Sequence, residues 1–243
     1  MTPDLSLHAS QDRDHLAQRF ASVQARIAKA CAAAGRDPDH VRLLPVTKTV
    51  PAERLRLAHD LGYHWFGENT VQEARDKAAA LADLAVQWCI IGHLQRNKAR
   101  HVARFAHELH SLDSLDTAAE LDRRLLAEGR SLRVLVQVNT SAEANKSGLA
   151  PDAVPAVVRE LAAFSTLQVA GFMTLAMASP EPEPVRRCFA LLRQVRDRAR
   201  QDDPAGRDFP ELSMGMSGDF ELAIAEGATI VRVGQAIFGA RTD

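Results

Sequence analysis

Cysteine is scarce in this chain: Cys31, Cys89 and Cys188 are the only three among 243 residues. They are odd in number, far apart, and show neither a CxxC pair nor metal-type spacing. That argues against a disulfide framework and leaves buried free thiols as the expected state. Long apolar runs are missing as well. Nothing approaches the roughly 20 residues that a bilayer-spanning helix needs, and the opening "MTPDLSLHASQDRDHLAQRF" has no basic region followed by an apolar block. A cytoplasmic protein without membrane association is expected. No sign of charge is in excess, since 30 Lys and Arg face 31 Asp and Glu. No global field therefore draws the chain to nucleic acid, and an anionic ligand must be gripped locally. The sequence also lacks a Pro/Ser-rich linker and any break in composition. With 46% apolar and 25% charged residues, one globular domain over residues 1–243 is expected.

What is present is a regular alternation. Short runs rich in Val, Ile and Leu predict strands at 41–48, 64–69, 87–93, 108–114, 133–139, 168–175, 211–217 and 229–234. Helical patterns fall between them at 51–61, 70–82, 94–106, 115–128, 151–164, 183–201 and 218–226, with an extra helix at 10–34 ahead of the first strand. Eight strand–helix units in a chain of this length fit a single (β/α)8 TIM barrel with an added N-terminal helix. A doubly wound open sheet is the alternative.

In such a barrel, chemistry belongs at the C-terminal ends of the strands. The polar residues predicted there are Lys48, Glu68, Asn69, His93, Gln95, Asp113, Asn139, Thr174, Ser217, Arg232 and Gly234. Several have ordinary structural roles available. Thr70-x-x-Glu73 reads as a capping box, and Asp113 or Ser114 can cap the helix that follows. The basic segment after His93 reads as a solvated helix face.

Lys48, in "LLPVTKTVP", is less ordinary. An amine delivered by an apolar strand into a barrel mouth is partly desolvated, which favours the neutral form that imine formation with an aldehyde requires. At the other end of the chain, Ser217-Gly218-Asp219 is expected to open a helix whose free N–H groups favour an anion. Gly234 allows a second loop to approach closely, and Arg232 adds a cation. Loops after the seventh and eighth strands commonly hold phosphate in barrels of this type. An imine-forming lysine facing a phosphate grip suggests pyridoxal 5'-phosphate (PLP), with a Schiff-base aldolase acting on phosphorylated sugars as the rival.

Seven segments also occur together in one order: "LLPVTKTVP" around Lys48, "FGENTVQEARDK" at 66–77, "IIGHLQRNK" at 90–98, "VNTSAEANKSGL" at 138–149, "GFMTLA" at 171–176, "LSMGMSGDFELAI" at 212–224 and "VRVGQAIFGAR" at 231–241. Through them the chain resembles the pyridoxal phosphate homeostasis protein family over residues 12 to 241. The resemblance implies a PLP barrel of fold type III, like the barrel domain of alanine racemase without that enzyme's β-rich second domain. It implies PLP held as a lysine aldimine on Lys48, with Asn69 beside the ring. Ser217, Gly218, Arg232 and Gly234 would lie in the ring- and phosphate-binding segments. Gln235 stands where the family usually has a small hydroxyl residue, which leaves its backbone N–H as the expected phosphate donor.

The related racemases take a second acid/base from a tyrosine. This chain has a single tyrosine, Tyr63, predicted below the active face, and it ends soon after the barrel. The expectation is therefore a carrier with little or no catalysis, supplying or buffering PLP for apo-enzymes, without metal or nucleic acid. A PLP-dependent amino-acid enzyme such as a racemase is the alternative. Lys98 and Lys146 read as surface residues.

Overall fold

The computed structural model describes residues 5–143, 145–203 and 205–240. All eight expected strands are present: β1 (Arg42–Pro45), β2 (Trp65–Glu68), β3 (Gln87–Ile90), β4 (Glu108–Leu112), β5 (Leu132–Gln137), β6 (Leu167–Met173), β7 (Glu211–Ser213) and β8 (Ile230–Val233). They form one parallel sheet in the order β1-β8-β7-β6-β5-β4-β3-β2. The two ends of that order meet through the bridge between Val46 and Gly67, where the Thr47 N–H donates to the Gly67 carbonyl at 3.0 Å. The sheet thus closes into a barrel, and the open-sheet alternative is excluded. Most of its strands are buried almost continuously, as parallel strands covered by helices must be, with β6 partly open at its N-terminal end.

Around the barrel run α1 (Leu5–Ala33), α2 (Ala52–Asp60), α3 (Val71–Ala80), α4 (Ala99–Phe105), α5 (Leu115–Glu128), α6 (Val154–Leu161), α7 (Pro182–Asp202), α8 (Phe220–Ala225) and α9 (Gln235–Phe238). Local chemistry explains their limits. Thr70 caps α3 by accepting from the Glu73 N–H, and Ser114 caps α5 by accepting from the Thr117 N–H. Gly129 ends α5 in a left-handed conformation. In α7 the buried Val185, Cys188, Phe189, Leu192, Val195 and Ala199 recur at helical spacing and face the sheet. The three cysteines are free and buried, as expected.

The strands end earlier than the apolar runs suggest. β1 stops at Pro45 and β7 at Ser213, so Lys48 and Ser217 sit on rim segments beyond the ladder rather than on strand ends. Backbone geometry is the reason. Thr49 has φ 64, which turns the chain out of the sheet. Gly215 has φ 91, and a Cβ there would lie 2.6 Å from the Cβ of Ala223, so the turn after β7 requires glycine.

The added N-terminal helix is part of the scaffold. Along α1, Phe20 stacks on Tyr63 with ring centroids 3.7 Å apart. Arg36 donates to the carbonyls of Ile224 and Ala228, at 2.7 and 2.8 Å. Among the described residues no helix is long and apolar enough to cross a membrane.

Candidate functional site

A cavity of about 560 Å³ opens at the C-terminal ends of the strands, a size usual for a small-molecule site. Lys48, Asn69, Ser217, Gly218, Arg232, Gly234 and Gln235 all line it. Val46, Ile91, Leu175 and Met216 give it apolar walls, and the last two are among the few large apolar side chains that remain exposed.

Lys48 is half-buried on the segment after β1, and a buried ionic network fixes that segment. The Lys77 ammonium, on α3, donates to the Thr47 carbonyl at 2.6 Å and to the carboxylates of Glu68 and Glu73, each at 2.7 Å. Thr47 Oγ1 also donates to Glu68, at 2.6 Å, and the Thr49 N–H donates to Glu73 at 2.5 Å. Burial raises the Glu68 carboxyl above its ordinary range, against the opposing pull of Lys77 and Thr47. Two expectations change here. Glu68 does not line the cavity but sits at the β1–β2 seam. Glu73 does not complete the capping box, because its side chain is engaged by Thr49 and Lys77 rather than by the cap.

Across the cavity, Arg232 on β8 is 3% exposed. Its Nη1 donates to Ser213 Oγ at 2.7 Å and its Nη2 to the Thr174 carbonyl at 2.8 Å. Burial lowers the guanidinium pKa to about 10, with Asp219 pulling the other way, so it stays charged at neutral pH.

The rim loops after β7 and β8 meet where the Ala236 N–H donates to Ser217 Oγ at 3.4 Å. A Cβ on Gly234 would come within 3.1 Å of the Val46 carbonyl oxygen, so the close approach expected of this glycine is present. Among the described residues, the N–H groups of Ser217, Gly218 and Gln235 donate to no backbone carbonyl, and they are available to an anion. One correction applies. The expected helix at 218–226 begins only at Phe220, with Asp219 as its N-cap and six residues in all. Individual N–H groups, rather than a long helix dipole, are what this loop presents toward the cavity.

Sequence reasoning missed part of the cavity wall. Residues 139–143 and 145–149 lie across the mouth. There Asn139 Nδ2 donates to the Glu143 carbonyl at 2.9 Å, and Gln137 Nε2 donates to the Ser147 carbonyl at 3.0 Å. This fold brings Lys146 to the cavity, where it pairs with Glu143 and donates to the Ala176 carbonyl at 3.1 Å. The surface reading of Lys146 is thus incorrect; a cluster of Asn, Ser and Gly directly after a strand was the available signal. Lys98, in a 3-10 turn, stays half-exposed and does not line the cavity. Neither does Tyr63, whose ring packs against α1.

Residues 12–242 match the family described as alanine racemase, N-terminal domain. The chain is 45% identical to the pyridoxal phosphate homeostasis protein of Pseudomonas aeruginosa, over 93% of this chain and 96% of that one. It is 39% identical to the protein of the same description from Aquifex aeolicus, over 92% and 97% respectively. Among solved structures, PipY of Synechococcus elongatus with PLP bound superposes with a TM-score of 0.82 at 36% identity, over 92% of this chain and all, 100%, of that one. Alanine racemase from Corynebacterium glutamicum shares the fold, with a TM-score of 0.70 at 19% identity over 94% of this chain and 62% of that one.

Proposed function

Because the chain belongs to the pyridoxal phosphate homeostasis protein family, we propose that it binds PLP in the barrel-mouth cavity. In this reading it holds the cofactor covalently through Lys48 and buffers it or hands it to apo-enzymes in the cytoplasm, with little or no turnover of its own. One observation carries the reading: the seven residues that the sequence marks for this cofactor surround a single cavity. The donor set suits the group. Free N–H groups at Ser217, Gly218 and Gln235 suit a phosphate, apolar walls suit a flat ring, and an amine suits an aldehyde. When bound, PLP supplies an aldehyde that condenses reversibly with a neutral amine and a ring that can accept electrons if its nitrogen is protonated.

The chain's own residues favour holding over turning over. In this reading Asn69 lies beside the ring. Arg232 presents a permanent cation to the ring nitrogen, where a carboxylate would be needed to keep that nitrogen protonated. A racemase also needs an acid/base on the opposite face, a contribution of roughly 10²–10⁴-fold, and Tyr63 is engaged elsewhere. Family membership likewise disfavours the sugar-phosphate aldolase. The test combines two assays on the PLP-loaded protein: turnover of single L-amino acids followed by chiral analysis, and reactivation of a PLP-free enzyme. The expected result is reactivation without useful turnover. Robust racemisation without cofactor transfer overturns the carrier reading.

A further inference from the structure

Behind Arg232, a chain of hydrogen bonds runs through the barrel interior to its opposite end. Arg232 Nη1 donates to Ser213 Oγ at 2.7 Å; Ser213 Oγ lies 3.0 Å from His110 Nδ1; and His110 Nε2 lies 2.9 Å from Glu108 Oε2, which also accepts from Arg42 Nη2 at 2.6 Å. Glu108, His110, Ser213 and Arg232 are all within 3% of complete burial. These four side chains come from β4, β7 and β8, and Arg42 adds β1. Glu108, His110 and Ser213 lie on the first two of these strands, and none of the three belongs to the cavity lining.

The proton positions along this chain follow from its two ends. A guanidinium only donates, so Ser213 Oγ accepts from Arg232, and with a neutral His110 whose Nε2 proton is taken by the Glu108 carboxylate, the Ser213 hydroxyl proton goes to Nδ1. A ring whose Nδ1 accepts carries its proton on Nε2, which is directed at Glu108. Burial works against an ionised Glu108, but hydrogen bonds from His110 and Arg42 hold its pKa at about 2. Burial likewise lowers the His110 pKa, against the opposing pull of Glu108, and so favours the neutral ring. From Arg232 to His110 the donors therefore point from the cavity toward one buried anion, Glu108, which Arg42 meets from the opposite end.

Cys89, Glu108 and His110 place ligand atoms within 4.8 Å of one another. A cation is nevertheless a poor occupant of that cluster. Both histidine nitrogens are engaged, Glu108 already accepts from Arg42, and guanidinium groups stand at both ends.

We propose that His110 and Ser213 are positioning residues for the cofactor: they fix the rotamer and donor directions of Arg232, so that its remaining N–H groups are aimed at the ring nitrogen of a bound pyridine. The inference rests on the reading that PLP lies in this cavity with its ring nitrogen toward Arg232. Neither residue touches the ligand. Ser213 occupies Nη1 and the Thr174 carbonyl occupies Nη2, while Asp219 supplies the charge that opposes desolvation of the buried guanidinium.

The probe is a pair of ligands, PLP and 1-deaza-PLP, in which a CH group replaces the ring nitrogen. Dissociation constants for both are measured with the wild-type protein, with Ser213→Ala and with His110→Phe. The wild type should prefer PLP by roughly 10- to 100-fold, the range for a hydrogen bond to a charged group. Both variants should lose at least tenfold of that preference, while their affinity for 1-deaza-PLP stays within about threefold of the wild type. The two substitutions break the chain at different links, so instability of one leaves the other to decide. If each variant binds both ligands more weakly by the same factor and the preference survives, the two residues are merely structural and the inference is wrong. If the wild type itself shows no preference, the ring contact with Arg232 is refuted and the inference falls with it, whereas binding of both ligands with equal strength leaves PLP binding in the cavity standing.

Discussion

Replacement of Gly234 by Val tests how the rim holds phosphate. The backbone of Gly234 has φ −113, open to any residue, so the effect is steric rather than conformational. Its Cβ would stand 3.1 Å from the Val46 carbonyl oxygen and 3.4 Å from the Val46 Cβ, closer than such contacts normally come. The γ-methyl groups of valine add to that crowding. Overpacking of this kind costs about 1–3 kcal/mol, and it is relieved by moving the 234–235 loop away from β1. The Gln235 N–H moves with it. Loss of one hydrogen bond to a charged phosphate is worth about 1.5–3 kcal/mol, so PLP should bind roughly 10- to 100-fold more weakly. Pyridoxal, which lacks the phosphate, should weaken only through the shared disturbance of Val46 and Lys48, by about threefold or less on the same scale. Absorbance or fluorescence titration of both ligands measures the two effects. Equal weakening would show that this loop does not hold the phosphate.

Two further outcomes follow from the buried charges. Lys77→Met strands Glu68 and frees the segment carrying Lys48; breaking a buried pair in this way costs about 3–5 kcal/mol, read as a lower denaturation midpoint. The borohydride-trapped fraction at fixed PLP concentration should fall as well, and an unchanged midpoint would refute the role assigned to Lys77. Glu108, held at about 2 in the folded state against an ordinary value of 4.5, contributes stability that is complete above the unfolded value and is lost as pH falls through that window toward 2. The contribution amounts to about 3 kcal/mol. Denaturation curves between pH 6 and pH 3 should fall more steeply for the wild type than for Glu108→Gln, and parallel curves would contradict the depressed pKa.

The barrel was legible in the sequence because parallel strands covered by helices are largely apolar, and eight such runs separated by helical patterns leave few other arrangements. The cavity residues were legible for a related reason. Lys48, Ser217 and Gly234 are polar or small residues placed just where an apolar run ends. What stayed hidden depends on pairing between distant segments. Lys77 meets Glu68 and Thr47 only because α3 lies over the β1–β2 seam. The line from Arg42 to Arg232 exists only once the barrel closes. Its one trace in the sequence is Glu108 and His110, two residues apart in "ELHSL", both aimed at the interior of a strand in which every residue is buried. The turn geometry at Thr49 was likewise invisible, because a positive φ at threonine has no compositional signal.

The central claim, that Lys48 carries the cofactor, is tested most directly by loading the protein with PLP, reducing it with borohydride and mapping the labelled peptide. The account predicts the label on Lys48, and loss of the cofactor's absorbance band near the visible edge in Lys48→Ala. A label recovered solely on another lysine, Lys146 included, would contradict it.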